Sequence, residues 1–284
     1  ETLILFFVLT VTFLSMSSAL FNGFTNWDDR AHVLENLQIR SLGWENIKTI
    51  FTSTVIQGYI PLTVLSFAIE HHYFGLNPFV FHLDNVLLHL IVTALIFWLS
   101  LRFGLNAWAS GLAALLFGVH PMHVESVAWI SERKDVLYAV FYFLALHSYW
   151  TYLETQKKSS YALTVLYGLL SMLAKPMALS LPLIFWLLDW MKGRPLNRNI
   201  LLEKIPYFVY IVPIAWITYS GGHVEPLNNP PLEALLTWLW SAMFYIWKFF
   251  VPLWLSPVYA RPEPISFLNL SYVAAILFVI VCVG

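Results

Sequence analysis

The chain has 284 residues, of which 59% are hydrophobic and only 11% charged, with 13 Trp, 14 Tyr and 22 Phe and a mean hydropathy of +0.70. This composition excludes a soluble globular domain and describes a membrane protein. The formal net charge of −1 points to no nucleic-acid partner, and the single cysteine, Cys282, excludes an internal disulfide.

Apolar segments fall at 2–21, 79–101, 105–119, 136–153, 161–174, 177–190, 205–220, 234–255 and 268–284. Several approach or exceed the roughly 18–20 residues that cross a hydrocarbon layer of ~30 Å as a helix. The length of 2–21 favours a retained signal-anchor helix over a cleaved peptide. Glu1 opens the chain without a basic n-region and Gly284 closes it inside an apolar run. The expectation is therefore one transmembrane domain over 1–284, truncated at both ends.

Residues 22–78 are too many for a hairpin and predict a long first extracytoplasmic loop. Within it GWENIKTIFTS spaces Trp44, Ile47, Ile50 and Phe51 as one helical face, which suits a helix lying in the membrane interface. PLTVLSFAIEHHYFG has too short an apolar run to span and predicts a re-entrant or interfacial helix. In PFVFHLDNVLLHLIV, His82, Asn85 and His89 share a face, with Asp84 beside it. A polar stripe of that kind belongs inside the bundle, bonding other helices. Trp238, Trp240, Trp247 and Trp254 read as interface belts. The fold class expected is an all-α, polytopic transmembrane bundle whose first outer loop carries interfacial helices.

Basic residues in short connections mark the cytoplasmic side. With the first segment running outward, that side holds Arg102, Lys157, Lys158, Lys192, Arg194, Arg198 and Lys204 against Glu154 and Glu203. The other side holds Asp28, Asp29, Glu35, Glu45, Glu70, Glu125, Glu132, Asp135, Glu225 and Glu233.

Three features could carry chemistry. FTNWDDRAHV sets Asp28 and Asp29 side by side just outside the first span, suited to a general base and a neighbour that positions an acceptor or tunes it, or to a solvated loop with a helix cap. HPMHVESVAWISERKD gathers His120, His123, Glu125, Glu132, Arg133, Lys134 and Asp135. His120, His123 and Glu125 suggest a metal site, but the spacing is not H-E-x-x-H and Pro121 breaks the local helix, so no metal is assigned. Arg133 and Lys134 suit a phosphate, or ion pairs with Glu132 and Asp135. Lys175, between apolar flanks and before Pro176, either snorkels or meets an anion such as a lipid phosphate.

WDDRAHVLEN, GLNPFVFHLDNVLLHL, HPMHVESVAWISERKDVL and AKPMALSLPLIFWLLDW together resemble the membrane portion of the tetratricopeptide-repeat-containing O-mannosyltransferases. That group of GT-C class glycosyltransferases includes the cadherin-directed type and bacterial relatives. The resemblance covers nearly the whole chain and implies a GT-C bundle. It implies Asp28 as catalytic base with Asp29 as its partner, and a polyprenyl-phosphate-linked sugar, mannose among the candidates, as donor. Where relatives often carry Tyr-Arg-Pro this chain has Tyr59-Ile60-Pro61, and the repeats that usually follow are absent.

The function expected is inverting transfer of that sugar to a hydroxyl, on protein Ser or Thr, at the extracytoplasmic face. Arg133, Lys134 and Lys175 would stabilise the departing lipid phosphate, with His120, His123 and Glu125 as an accompanying polar cluster. The partners are membrane lipid, the lipid-linked sugar and the hydroxyl acceptor, with no cofactor. A bacterial inner membrane is expected over the endoplasmic reticulum. The alternative is a secondary transporter or lipid flippase with an acidic mouth; transporters, however, keep ionisable groups at the midplane on broken helices, whereas here they lie at segment edges. A third reading, a non-catalytic scaffold, leaves both polar clusters without a purpose.

Overall fold

The computed structural model describes residues 1–56, 58–195, 197–221, 230–256 and 258–283; Glu225 lies outside them. They are helices joined by turns, with no strand among the described residues. The chain divides into two compact units, Glu1–His223 and Val224–Gly284.

The first unit opens with α1 (Thr2–Met16), prolonged by a 3-10 turn to Phe21. The long connection 22–77 contributes a π-type turn at Arg30–Leu34, α2 (Trp44–Thr52) and α3 (Pro61–Phe74). The long α4 (Pro78–Arg102) starts where Pro78 sits at the first helical position and Asn77 caps Phe79 N–H at 3.2 Å. It is followed by α5 (Ala107–Gly118), the short α6 (Val124–Ala128), α7 (Arg133–Thr155), α8 (Lys158–Ala174), α9 (Leu181–Met191), α10 (Arg198–Leu202) and α11 (Ile205–Gly221). The second unit pairs α12 (Pro231–Phe250) with α13 (Leu270–Val283).

Every expected apolar segment is a helix within a few residues. Among the described residues four stretches are long and apolar enough to cross a membrane: Thr2–Phe21, Pro78–Arg102, Ile130–Thr155 and Arg198–Ser220. Their outward faces carry Leu3, Phe6, Trp98, Val209 and Trp216, a greasy exterior that water would not tolerate over so many contiguous turns. The protein is an all-α integral membrane protein. α5, by contrast, reaches only about 18 Å at 1.5 Å per residue and cannot cross alone.

Small residues and buried hydrogen bonds fix the packing. Gly111 and Gly118 let α5 lie against α1, since a Cβ at either position would run into Ile4 or Thr12. The polar stripe of α4 is buried as expected. Asn85 Nδ2 donates to Trp129 O at 3.1 Å, and His89 Nε2 donates to Gly118 O at 2.9 Å. Arg102 Nη1 reaches His147 O at 3.0 Å, and His147 reaches Leu95 O at 2.9 Å, so α4 and α7 run parallel. α8 returns along α7 after Gln156, which takes the left-handed conformation at φ 54°. The amphipathic α2 buries Ile50 and exposes Trp44, and α3 docks on the bundle through Thr63 Oγ1, which donates to Ala174 O at 3.0 Å.

One end of α7 gathers the connection between α1 and α4, α6 and Lys175; the opposite end gathers a second set of charges. There Lys204, fully buried, donates to Asp189 Oδ2 at 2.7 Å, while Arg194 bridges Asp189 Oδ1 at 2.6 Å and Glu203 Oε1 at 2.8 Å. The count of free cations at this end of the bundle therefore changes. Lys204 is an internal partner of Asp189 and Tyr149 rather than an exposed base, and Asp189 adds an acid to that side.

Candidate active site

The adjacent carboxylates have different surroundings. Asp29 is fully buried. Its Oδ2 accepts from Thr25 N at 2.7 Å and Thr25 Oγ1 at 3.0 Å, and its Oδ1 from Ser131 N at 2.8 Å. It staples the connection after α1 to the start of α7, a join that the Trp27 and Trp129 rings, 5.7 Å apart, reinforce. Asp28 is half-buried and accepts no hydrogen bond among the described residues. Neighbours on a helical turn point about 100° apart, so one carboxylate can turn inward while the other stays available.

The two polar stretches, about a hundred residues apart in sequence, thus meet directly. Arg133 and Lys134 form the first turn of α7. Arg133 is fully buried. Its Nε donates to Asn85 Oδ1 at 2.7 Å, its Nη2 to Phe81 O at 2.6 Å, and its Nη1 to Glu70 Oε2, with the guanidinium 4.8 Å from the Phe67 ring centre. With its donors engaged, it ties α3, α4 and α7 together and leaves no donor fork for a ligand.

Lys134 and Lys175 are placed differently. Glu132 lies between them, its Oε1 2.7 Å from Lys134 Nζ and its Oε2 3.9 Å from Lys175 Nζ. The Lys175 ammonium also contacts Asp135 Oδ1, and Asp135 Oδ2 accepts from Ser126 Oγ at 3.0 Å. Lys175 is accessible because the chain is extended there, between α8 and the 3-10 turn Pro176–Ser180, where Pro176 cannot continue the helix.

Lys175, Asp135, Ser126, His89 and His123 line a cavity of about 310 Å³ whose remaining wall includes Val92, Phe117, Phe143 and Met177. The His123 ring lies tilted against Phe117, with ring centres 4.3 Å apart, and 5.6 Å from His89. Burial, with the neighbouring His89 and His120, lowers its pKa to about 4, so it stands neutral near pH 7 as a hydrogen-bonding group rather than a cation. The Gly118 carbonyl can only accept, so His89 carries its proton on Nε2. His120 Nδ1 caps Met122 N–H at 3.2 Å, and Glu125 is exposed on the first turn of α6. Neither lines the cavity. Among the described residues no three His, Cys, Asp or Glu side chains gather as a metal-ligand set.

His32, which the sequence reading passed over, is buried, and no hydrogen bond reaches its Nδ1 among the described residues. Burial first and Lys134 second lower its pKa to about 4, against the opposing pull of Asp28 and Asp29. Its signal lay in the spacing: His32 follows Asp28 by four residues, one helical turn.

Three comparisons bear on this arrangement. No family model matches the chain, and no solved structure does. Among curated proteins, mouse protein O-mannosyl-transferase TMTC1 is 43% identical over 103 residues, 36% of this chain and 11% of that protein. Over part of its length, the chain is a relative of the TMTC protein O-mannosyl-transferases. Mouse TMTC3 is 34% identical over 142 residues, 46% of this chain and 15% of that protein. Drosophila Tmtc2 is 30% identical over 202 residues, 66% of this chain and 21% of that protein. The chain thus spans between about a tenth and a fifth of the length of these relatives. They are animal proteins, and lend no support to the expectation of a bacterial inner membrane.

Proposed function

We propose that this end of the bundle is the active centre of a glycosyltransferase acting on protein, with a polyprenyl-phosphate-linked sugar as donor and a Ser or Thr hydroxyl as acceptor, on the extracytoplasmic face. The observation that carries the reading is the polar chain Lys134–Glu132–Lys175–Asp135. It runs from the neighbourhood of His32 and Asp28 to a cavity that is polar at one side and apolar at the other. A lipid phosphate has that same split character. The names of the relatives support transfer of mannose to protein.

In this mechanism Asp28 takes the acceptor proton as the hydroxyl oxygen bonds to the anomeric carbon. The bond from that carbon to the phosphate oxygen breaks, and its electron pair leaves with the lipid phosphate. One displacement inverts the centre. The leaving group needs its charge met more than it needs a proton, and Lys175, with Lys134 behind it, is the cation placed to do so. Asp29 and Arg133 hold the frame, which revises the partnership expected of Asp29 and removes Arg133 from the phosphate set. The test is Asp28→Asn in the full natural protein, with a polyprenyl-phosphomannose donor and an acceptor protein. Transfer should fall by roughly 10²–10⁴, the contribution of a positioned base, with donor binding intact. Full transfer would overturn the assignment and favour a transport role.

A further inference from the structure

The cavity's cation is already clasped. Lys175 contacts Asp135, a second ligand of which is Ser126 Oγ at 3.0 Å, and all three residues line the cavity. The pair is of an intermediate kind. Lys175 and Asp135 are 24% and 26% exposed, whereas Arg133 and Glu70 are 0% and 4% exposed and the surface pair Arg30–Glu35 is above half. A buried pair of the Arg133 type is held by many partners and does not open; a surface pair is screened and holds little. The Lys175–Asp135 pair is close enough to neutralise the cavity and open enough to exchange. An ammonium, with three rotatable donors on a flexible stem, turns from one anion to another without losing a fixed geometry.

We propose that Asp135 is a built-in competitor for the donor's phosphate, so that the donor binds by taking Lys175 from it. The proposal rests on the donor reading above. One anion replaces another at Nζ, while Asp135 keeps Ser126 and Glu132 keeps Lys134 at 2.7 Å. Without a donor, Lys175 and Asp135 cancel, and an anionic lipid headgroup meets a neutral mouth. Only a ligand with further contacts in the cavity, such as a sugar within reach of His123 and His89, displaces Asp135 at a net gain.

The test is a pair of substitutions with opposite expected signs, made in the full natural protein in phosphatidylcholine nanodiscs with a short-chain polyprenyl-phosphomannose as probe. Asp135→Asn keeps the shape and removes the competing charge, so the dissociation constant should fall by about fivefold, the size of a part-exposed ion pair. Lys175→Gln should raise it by roughly 10–100-fold, as for loss of a hydrogen bond to a charged group. In the double variant the gain from Asp135→Asn should vanish, since no cation remains to be released. Asp135→Ser serves if the Asn variant does not fold. If Lys175→Gln weakens binding but neither Asp135 variant tightens it, competition is refuted and the donor reading stands. If Lys175→Gln leaves binding unchanged, the donor reading itself falls, and the competition with it.

Discussion

Asp28→Asn and Asp29→Asn are the same chemical change at adjacent positions, and the structure predicts different consequences. At Asp29 both carboxylate oxygens accept, one from Thr25 N–H and Oγ1 and the other from Ser131 N–H. An amide offers one acceptor and one donor. Its better orientation turns the oxygen to Ser131 and the amino group to Thr25, whose hydroxyl can rotate to accept, leaving Thr25 N–H without a partner. An unpaired buried donor costs about 1–3 kcal/mol, and the bond that remains loses its charge assistance. The sum is about 2–4 kcal/mol, which lowers Tm by roughly 4–16 °C at ~2–4 °C per kcal/mol for a unit of this size. At Asp28 no such bond is lost, so stability should stay within about 0.5 kcal/mol while transfer collapses. Thermal unfolding followed by intrinsic tryptophan fluorescence, beside a transfer assay on the same preparations, reads both. Equal melting temperatures for the Asp29 variant and the parent, or a comparable loss of stability in the Asp28 variant, would refute the division of labour.

Other expectations follow from the same geometry. Arg133→Met leaves Glu70 buried without its partner and should cost about 3–5 kcal/mol, seen as a sharp loss of thermal stability, whereas Lys175→Gln should melt close to the parent. Because the His123 pKa falls from 6.5 to about 4 on folding, its contribution to stability is complete above pH 6.5 and is lost as pH falls toward 4. That amounts to about 3 kcal/mol at most, and His123→Gln should flatten the fall of Tm between pH 6.5 and 4.5. In a Cys282→Ser background, which removes the exposed native thiol, cysteines at the exposed Ser159 and Asn197 should resist an impermeant reagent added outside sealed right-side-out vesicles. Labelling of either would reverse the orientation.

Much of the fold was legible because its signals are local. Apolar length marks each helix, and the spacing of Trp44, Ile47, Ile50 and Phe51 marks the amphipathic α2. The stripe His82, Asn85 and His89 announces an inward face. What the sequence does not show is whether a charge is already engaged. Arg133 and Lys175 look alike as isolated cations, yet Arg133 meets Glu70, which lies 63 residues earlier, and Lys175 faces a cavity. Lys204 was legible as a basic residue near a helix end, but its partner Asp189 sits within an apolar helix, and only packing brings them together. The adjacency of Asp28 and Asp29 pointed to a site without saying that one of them is a staple.

The most direct test of the account is the position of a bound donor. A structure of the full natural protein with a non-transferable phosphonate analogue of polyprenyl-phosphomannose should place a phosphonate oxygen about 2.7–3 Å from Lys175 Nζ, at charge-assisted hydrogen-bond distance. The sugar should point toward Asp28, and Asp135 should be parted from the lysine. A phosphonate at the opposite end of the bundle, beside Arg194 and Lys204, or one that leaves the Lys175–Asp135 pair closed, would contradict it.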